Sequence, residues 1–190
     1  MILSDFDIKT AISNGSFTID PPPKEEDYDT TAVNLHLGDE FLIWDFEEAI
    51  EGFGQLTVDL ANFNYRTLAK KYTKQIKPDS DGSIVLSPNR FILSSTRETV
   101  GNPDPGCCLA ARVEGRSSLA RLGLQIHMTA PTIHAGFKGT ITLEIFNVGP
   151  LPLRLRPGLA ICQLIIEQVS SSPTGASCAS QFQGQQTARG

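Results

Sequence analysis

The chain has 190 residues, long enough for one domain with a sizeable apolar core. Its 16 Lys and Arg against 21 Asp and Glu leave a formal charge of −5, so no global positive field draws it to polymeric nucleic acid or an anionic membrane. No apolar stretch approaches membrane-spanning length, and the N-terminus, with Asp5 and Asp7, lacks a signal peptide's basic and apolar regions, so a cytoplasmic location is expected.

Ser4 is placed to cap a short helix that presents Ile8, Ala11 and Ile12 on one face and stops at Gly15. Pro21 to Pro23 and the acidic run Glu25 to Asp29 read as an exposed linker. Ala32 to Leu37 alternates with period two and ends at Gly38, while Phe41 to Trp44 is a short apolar run. Residues 45–82, polar and lysine-rich from 62 onward, read as a variable surface excursion. Further strands are predicted over Ile84 to Leu86, Phe91 to Leu93, Leu124 to Met128, Gly139 to Phe146, Leu151 to Leu155 and Ile161 to Ile166. Pro88-Asn89, Gly149-Pro150 and Arg156-Pro-Gly158 punctuate them as turns. Many short strands with few helices predict an all-β domain over residues 1–169, closed or built of two sheets. The tail, 170–190, is Ser, Gly, Gln and Thr with almost no apolar residue, and is expected to be disordered or ordered by ligand.

Two stretches carry chemistry. Gly115-Arg-Ser-Ser-Leu-Ala-Arg121 gathers two arginines and two serines, with Ser117 or Ser118 placed to cap the turn that follows. Arg offers rigid paired donors and keeps its charge, and a helical N-terminus adds backbone N–H groups, so the stretch suits a phosphorylated ligand. The alternative is a capped surface helix; the length of the motif and its apolar surroundings favour the cradle. Glu144 lies in the apolar run Ile141 to Phe146, sharing one strand face with Thr142 and Phe146 while Ile141, Leu143 and Ile145 share the other. It reads either as a solvent-facing glutamate or as a partly desolvated carboxylate with a raised pKa that shuttles protons, and the sequence balances the two. His127 and His134 show no triad partner and no zinc-deaminase spacing, and Cys107, Cys108, Cys162 and Cys178 show no metal-ligand spacing. Protein-bound metal, zinc included, is therefore not expected, and the cysteines read as thiols in a reducing compartment.

Taken together these residues resemble the dCTP deaminase family of the dUTPase-like superfamily. The resemblance rests on Gly115 to Leu124, His127-Met-Thr-Ala130, Gly136-Phe-Lys-Gly139, Thr142-Leu-Glu144, Asn147 and Leu155-Arg-Pro-Gly158. Upstream, Val33 to Gly38 and Phe91 to Glu98 resemble the family's early strands, and Gln181-Phe-Gln-Gly-Gln185 its C-terminal lid. The resemblance implies a dUTPase-like β-barrel or β-clip, assembled as a homotrimer with active sites between subunits. It implies hydrolytic removal of the cytosine 4-amino group of dCTP, giving dUTP and ammonia without zinc and feeding dUMP and dTTP synthesis. Glu144 would be the general base and acid, with Ser117 and Arg121 positioning water and stabilising charge. Arg116, Ser117, Ser118, Arg121, Ala130, His134, Phe137, Thr142, Leu143, Gln163 and Gln185 would bind substrate. Mg2+ would accompany the triphosphate, and dTTP would be a feedback inhibitor, with His127 where it would act.

The chain departs from the family at nucleotide-holding positions. Ile133-His-Ala-Gly136 stands where Ile-Asp-Pro-Gly is usual, Gln181 where the lid has lysine, and Asn34 where an early strand has aspartate. The lid's upstream tyrosine has no match in Ser170 to Ser180. Two other readings follow: a dUTP diphosphatase or bifunctional enzyme, which would want an acid at His134, and a deoxynucleotide-binding relative without catalysis.

Overall fold

The structure, a computed structural model, describes residues 1–47, 50, 57–101, 108–173 and 181–190. In chain order its elements begin with α1 (Asp5–Ser13), β1 (Thr18–Asp20), β2 (Tyr28–Asp29), β3 (Ala32–His36) and β4 (Leu42–Trp44). Then come α2 (Tyr65–Tyr72), β5 (Thr73–Gln75), β6 (Ile84–Leu86), β7 (Phe91–Gly101) and β8 (Leu109–Gly115). The chain continues through α3 (Ser117–Ala120), β9 (Leu124–Gln125), β10 (Lys138–Asn147), β11 (Leu153–Leu155) and β12 (Ala160–Gln168).

The strands pair antiparallel in three open sheets. One runs β5-β4-β7-β10-β9, with β1 added along the far end of β7. The second runs β2-β3-β12-β8, and β6 and β11 form a two-stranded third. The all-β expectation holds, but no sheet closes on itself among the described residues: the body is made by packing open sheets together. The two larger sheets share one core, in which Leu35, Leu37, Leu143, Ile145, Ile161 and Leu164 are fully buried. Period two explains the division on β10: Leu143 and Ile145 enter the core, while Thr142, Glu144 and Phe146 face the other way and stay half-buried. Where β7 and β10 slip register between Thr140 and Thr142, the Ile141 N–H donates instead to the Thr96 hydroxyl at 2.9 Å.

Ser4 caps α1 as expected, its hydroxyl accepting the Asp7 N–H at 3.2 Å. The acidic run, by contrast, is not an exposed linker throughout. Glu25–Asp27 forms a 3-10 turn that buries Asp27 against His36, whose Nε2 lies 3.2 Å from Asp27 Oδ1. The other ring nitrogen lies 2.8 Å from Glu98 Oε1, and Glu98 is buried too. Arg97 and the His36 N–H also donate to the Glu98 carboxylate. One imidazole thus serves two buried carboxylates. Truncating it leaves both short of a partner, so His36→Ala is expected to cost ~3 kcal/mol in denaturant unfolding, with His36→Gln recovering part of the loss.

Glycine closes the turn after the arginine-serine motif. Gly123 has φ +89°, and a Cβ there would meet the Gly149 backbone at 2.3 Å. Strain and clash combine, so Gly123→Ala is expected to destabilise by ~3 kcal/mol, a melting temperature about 6–12 °C lower by calorimetry.

The excursion is more structured than its composition suggests. Asn64 accepts the Thr67 N–H to cap α2, and β5 then pairs with β4. Residues 48, 49 and 51–56 of the predicted excursion lie outside the described residues, as do 174–180 of the predicted tail. The end of that tail is held by the chain itself: Gln185 and Ala188 are buried. Cys107 and Cys178 also lie outside the described residues, while Cys162 is a fully buried thiol whose pKa burial pushes upward. No helix among the described residues is long and apolar enough to cross a membrane.

Candidate active site

Glu144 opens onto a cavity of about 550 Å³, within the ~300–1,000 Å³ usual for small-molecule sites. Sheet residues Trp44, Phe91 and Leu93 form one apolar wall, with Tyr65 of α2 beside them. Met128 to His134 form a second wall, and Phe137, Ile141 and Thr142 a third. Phe182 and Gln185 come from the C-terminal segment. Most of this surface is apolar, and among the described residues no lysine or arginine lines it.

The carboxylate is held from the backbone. Its Oε2 accepts the Met128 N–H at 3.1 Å and the Thr129 N–H at 3.3 Å. Across the sheet its register partner is Leu93. A half-buried acid with its orientation set by two amides, facing an apolar chamber, is suited to passing protons to and from a bound molecule. The loop that supplies those amides is itself placed by strand pairing, through the Ala111–Ile133 bridge and its two backbone hydrogen bonds. Gly136, at φ +86°, lets the chain turn from His134 into Phe137, whose N–H donates to the His134 carbonyl at 3.0 Å.

The predicted residues divide into two groups. Glu144, Ala130, His134, Phe137, Thr142 and Gln185 line this one cavity. Gln185 also anchors itself, donating from Nε2 to the Thr140 carbonyl at 2.7 Å and the Thr142 hydroxyl at 3.3 Å. Ser117, Ser118 and Arg121 are exposed on and just after α3 and do not line the cavity. Arg116 donates from Nη1 to the Ala160 carbonyl, and Gln163 from Nε2 to Asp29 Oδ2 at 2.7 Å. Neither lines the cavity. Leu143 lends it no side chain, because that side chain is fully buried in the core. Arg116 occupies the N-cap of α3 without a side-chain cap, correcting the expectation that Ser117 or Ser118 would cap it. His127 lies in a smaller neighbouring hollow beside Arg112 and Glu114.

Sequence reasoning missed Trp44, Tyr65, Phe91 and Leu93. The first, third and fourth stood in recognised strands, but which strands flank β10 is a matter of topology. Tyr65 had a local signal in the spacing Tyr65, Leu68, Ala69 after an Asn64 cap, masked by the lysines around it. Among the described residues no three His, Cys, Asp or Glu side chains come together as metal ligands.

Comparison with known proteins places the chain in a family. Residues 2–169 match the dCTP deaminase-like family model. A Methanosphaera stadtmanae protein named "dCTP deaminase, dUMP-forming" is 39% identical over 170 residues, 90% of this chain and 80% of that protein. A Rhodospirillum rubrum "dCTP deaminase" is 37% identical over 191 residues, 97% of this chain and 93% of that one. In fold the chain is similar to the 2'-deoxycytidine 5'-triphosphate deaminase of Agrobacterium tumefaciens, with a TM-score of 0.63 at 18% identity. That superposition covers 88% of this chain and 48% of the other, so the chain spans about half of that structure's length. The protein belongs to the dCTP deaminase-like family.

Proposed function

We propose that the protein deaminates dCTP hydrolytically, giving dUTP and ammonia, with Glu144 as the proton-transfer group. The observation that carries this reading is the Glu144 carboxylate, held by the Met128 and Thr129 amides within an apolar cavity of nucleotide-binding size. Glu144 takes a proton from the attacking water as its oxygen bonds to C4 of cytosine, and passes that proton to the ring nitrogen beside it. It then relays the remaining hydroxyl proton to the amino group, which leaves as ammonia as the C4 carbonyl forms. Ala130, His134, Phe137 and Thr142 surround the nucleoside, and Leu143 contributes through its backbone.

Charge must come from elsewhere, because the cavity has no cationic lining among the described residues. Arg116 and Arg121 supply it, with the Ser117 and Ser118 hydroxyls as hydrogen-bond donors, from a second copy of the chain in a homotrimer with sites between subunits. Ser117 and Arg121 then position the water and stabilise charge developing on the base. Gln163 and Gln185 are further ligands of the nucleotide. Mg2+ would accompany the triphosphate and offset its charge, with no protein ligand of its own in this reading. Zinc plays no part in this reading, and dTTP is the expected feedback inhibitor. The product would feed dUMP and dTTP synthesis.

A second reading adds pyrophosphate release, so that dUMP leaves the enzyme. It is favoured by the "dUMP-forming" name of the Methanosphaera relative. It is opposed by His134, an imidazole where an acid would activate water at the α-phosphate. Supplying dCTP and dUTP separately and reading ammonia and pyrophosphate in each distinguishes the two. Ammonia from dCTP with no pyrophosphate is the expected result; pyrophosphate from dUTP would establish the second reading, and neither product from either nucleotide would sink both.

A further inference from the structure

The C-terminal segment 182–190 is tethered to two walls of the Glu144 cavity. On one side the Gly184 N–H donates to the Lys138 carbonyl at 2.8 Å, and Gln185 and Thr140 exchange backbone and side-chain bonds. On the other side the segment meets the excursion. The Tyr65 hydroxyl donates to the Ala188 carbonyl at 2.7 Å, and the Tyr65 and Phe182 rings meet edge-on with centroids 5.5 Å apart. Arg189 donates to the Thr73 hydroxyl at 2.9 Å and to Glu40 at 3.2 Å, and Glu40 also accepts the Ala188 N–H.

Among the described residues, Tyr65 alone belongs to both the cavity wall and the α2 side of this tether. Burial raises its pKa first, and the charges of Glu144 and Glu40 act in the same direction, so the phenol keeps its proton and remains a donor. Trp44, the one tryptophan of the chain, lies edge-on to it at 6.3 Å and lines the same cavity. An excursion that composition marks as variable surface thus carries a side chain facing the reacting group.

We propose that Tyr65 is a positioning residue of this site: through its bond to Ala188 and its ring contact with Phe182, it holds segment 182–190 across the cavity and sets how tightly a nucleotide is retained over Glu144. The nucleotide part rests on the deaminase reading above, whereas the tether itself does not. A protein without this bond keeps the cavity but closes it less firmly. The effect belongs in retention of the nucleotide, not in the proton transfers.

The test uses the whole 190-residue chain as wild type, Tyr65→Phe and Tyr65→Ala. In nucleotide-free samples, amide hydrogen exchange at Gly184 and Ala188 should quicken about fivefold in Tyr65→Phe, the worth of one part-buried hydrogen bond, and further in Tyr65→Ala. Binding of dCTP, read from Trp44 fluorescence, should weaken by a similar factor in Tyr65→Phe, with KM following it and kcat within about twofold. If Tyr65→Ala also loosens the α2 amides, Tyr65→Phe, which keeps the ring, decides. Unchanged exchange at 182–190 in Tyr65→Phe overturns the tether, and faster exchange with unaltered dCTP binding overturns its role in retention. Failure of the deaminase reading looks different: no ammonia from wild type, with the exchange result intact.

Discussion

Under the proposed mechanism, Glu144→Gln should lower ammonia release from dCTP by about a thousandfold or more while leaving the protein folded and able to bind nucleotide. The amide keeps the carboxylate's size and one carbonyl oxygen, so the Met128 and Thr129 N–H groups at 3.1 and 3.3 Å still have an acceptor to find. What it lacks is the ability to take a proton from water and give it back. General acid–base groups contribute about 10²–10⁴-fold, and the proposed mechanism gives every transfer to this one side chain, which places the expected loss at the upper end of that range. Because Thr142 and Phe146 share its strand face and Leu143 and Ile145 fill the core beneath, the substitution disturbs no core contact. Binding measured by Trp44 fluorescence should therefore stay close to wild type. A Glu144→Gln protein that still releases ammonia at the wild-type rate removes Glu144 from the mechanism altogether.

Mixing two inactive variants should restore activity. Arg121 is exposed beyond α3 and does not line the cavity that holds Glu144, so the proposed mechanism takes it from a second copy of the chain. Arg121→Ala should be nearly as damaging as Glu144→Gln, since developing charge on the base then meets no fixed cation; losing such a group typically costs ~10²–10³-fold. If neighbouring subunits of a trimer pair Glu144 of one with Arg121 of the next, co-refolded equal mixtures place an intact Glu144 beside an intact Arg121 in about a quarter of sites. Recovery of about a quarter of wild-type activity is the expected result. No recovery from a mixture shown by mass to contain mixed assemblies would mean that both groups act within one chain, and the α3 region would have to move to reach the cavity.

The parts of this protein that were legible in its residues are those set by local chemistry. A Ser4 cap with Gly15 as the stop marks α1, period-two alternation marks β3 and β10, and the same alternation separates Glu144 from Leu143 and Ile145. Each depends on neighbours within a few positions. The arginine-serine motif was equally visible, and family membership follows from it and the matches around it. Less visible were Asp27 and the excursion. An acidic run reads as solvated until one knows that His36 stands beneath it, and Tyr65 reads as one more residue of a lysine-rich stretch until α2 is folded against the C-terminus.

Composition and spacing thus decided the strand-rich class and the candidate acid, because propensity and periodicity act over short separations. Tertiary structure decided what surrounds that acid. Trp44, Tyr65, Phe91 and Phe182 come from four separate stretches of chain, and only strand order and the docking of α2 bring them to one cavity. The same packing kept Arg121 away from Glu144, which no spacing along the chain reveals: distance in space is set by which faces bury their apolar side chains together, and that is a property of the whole core.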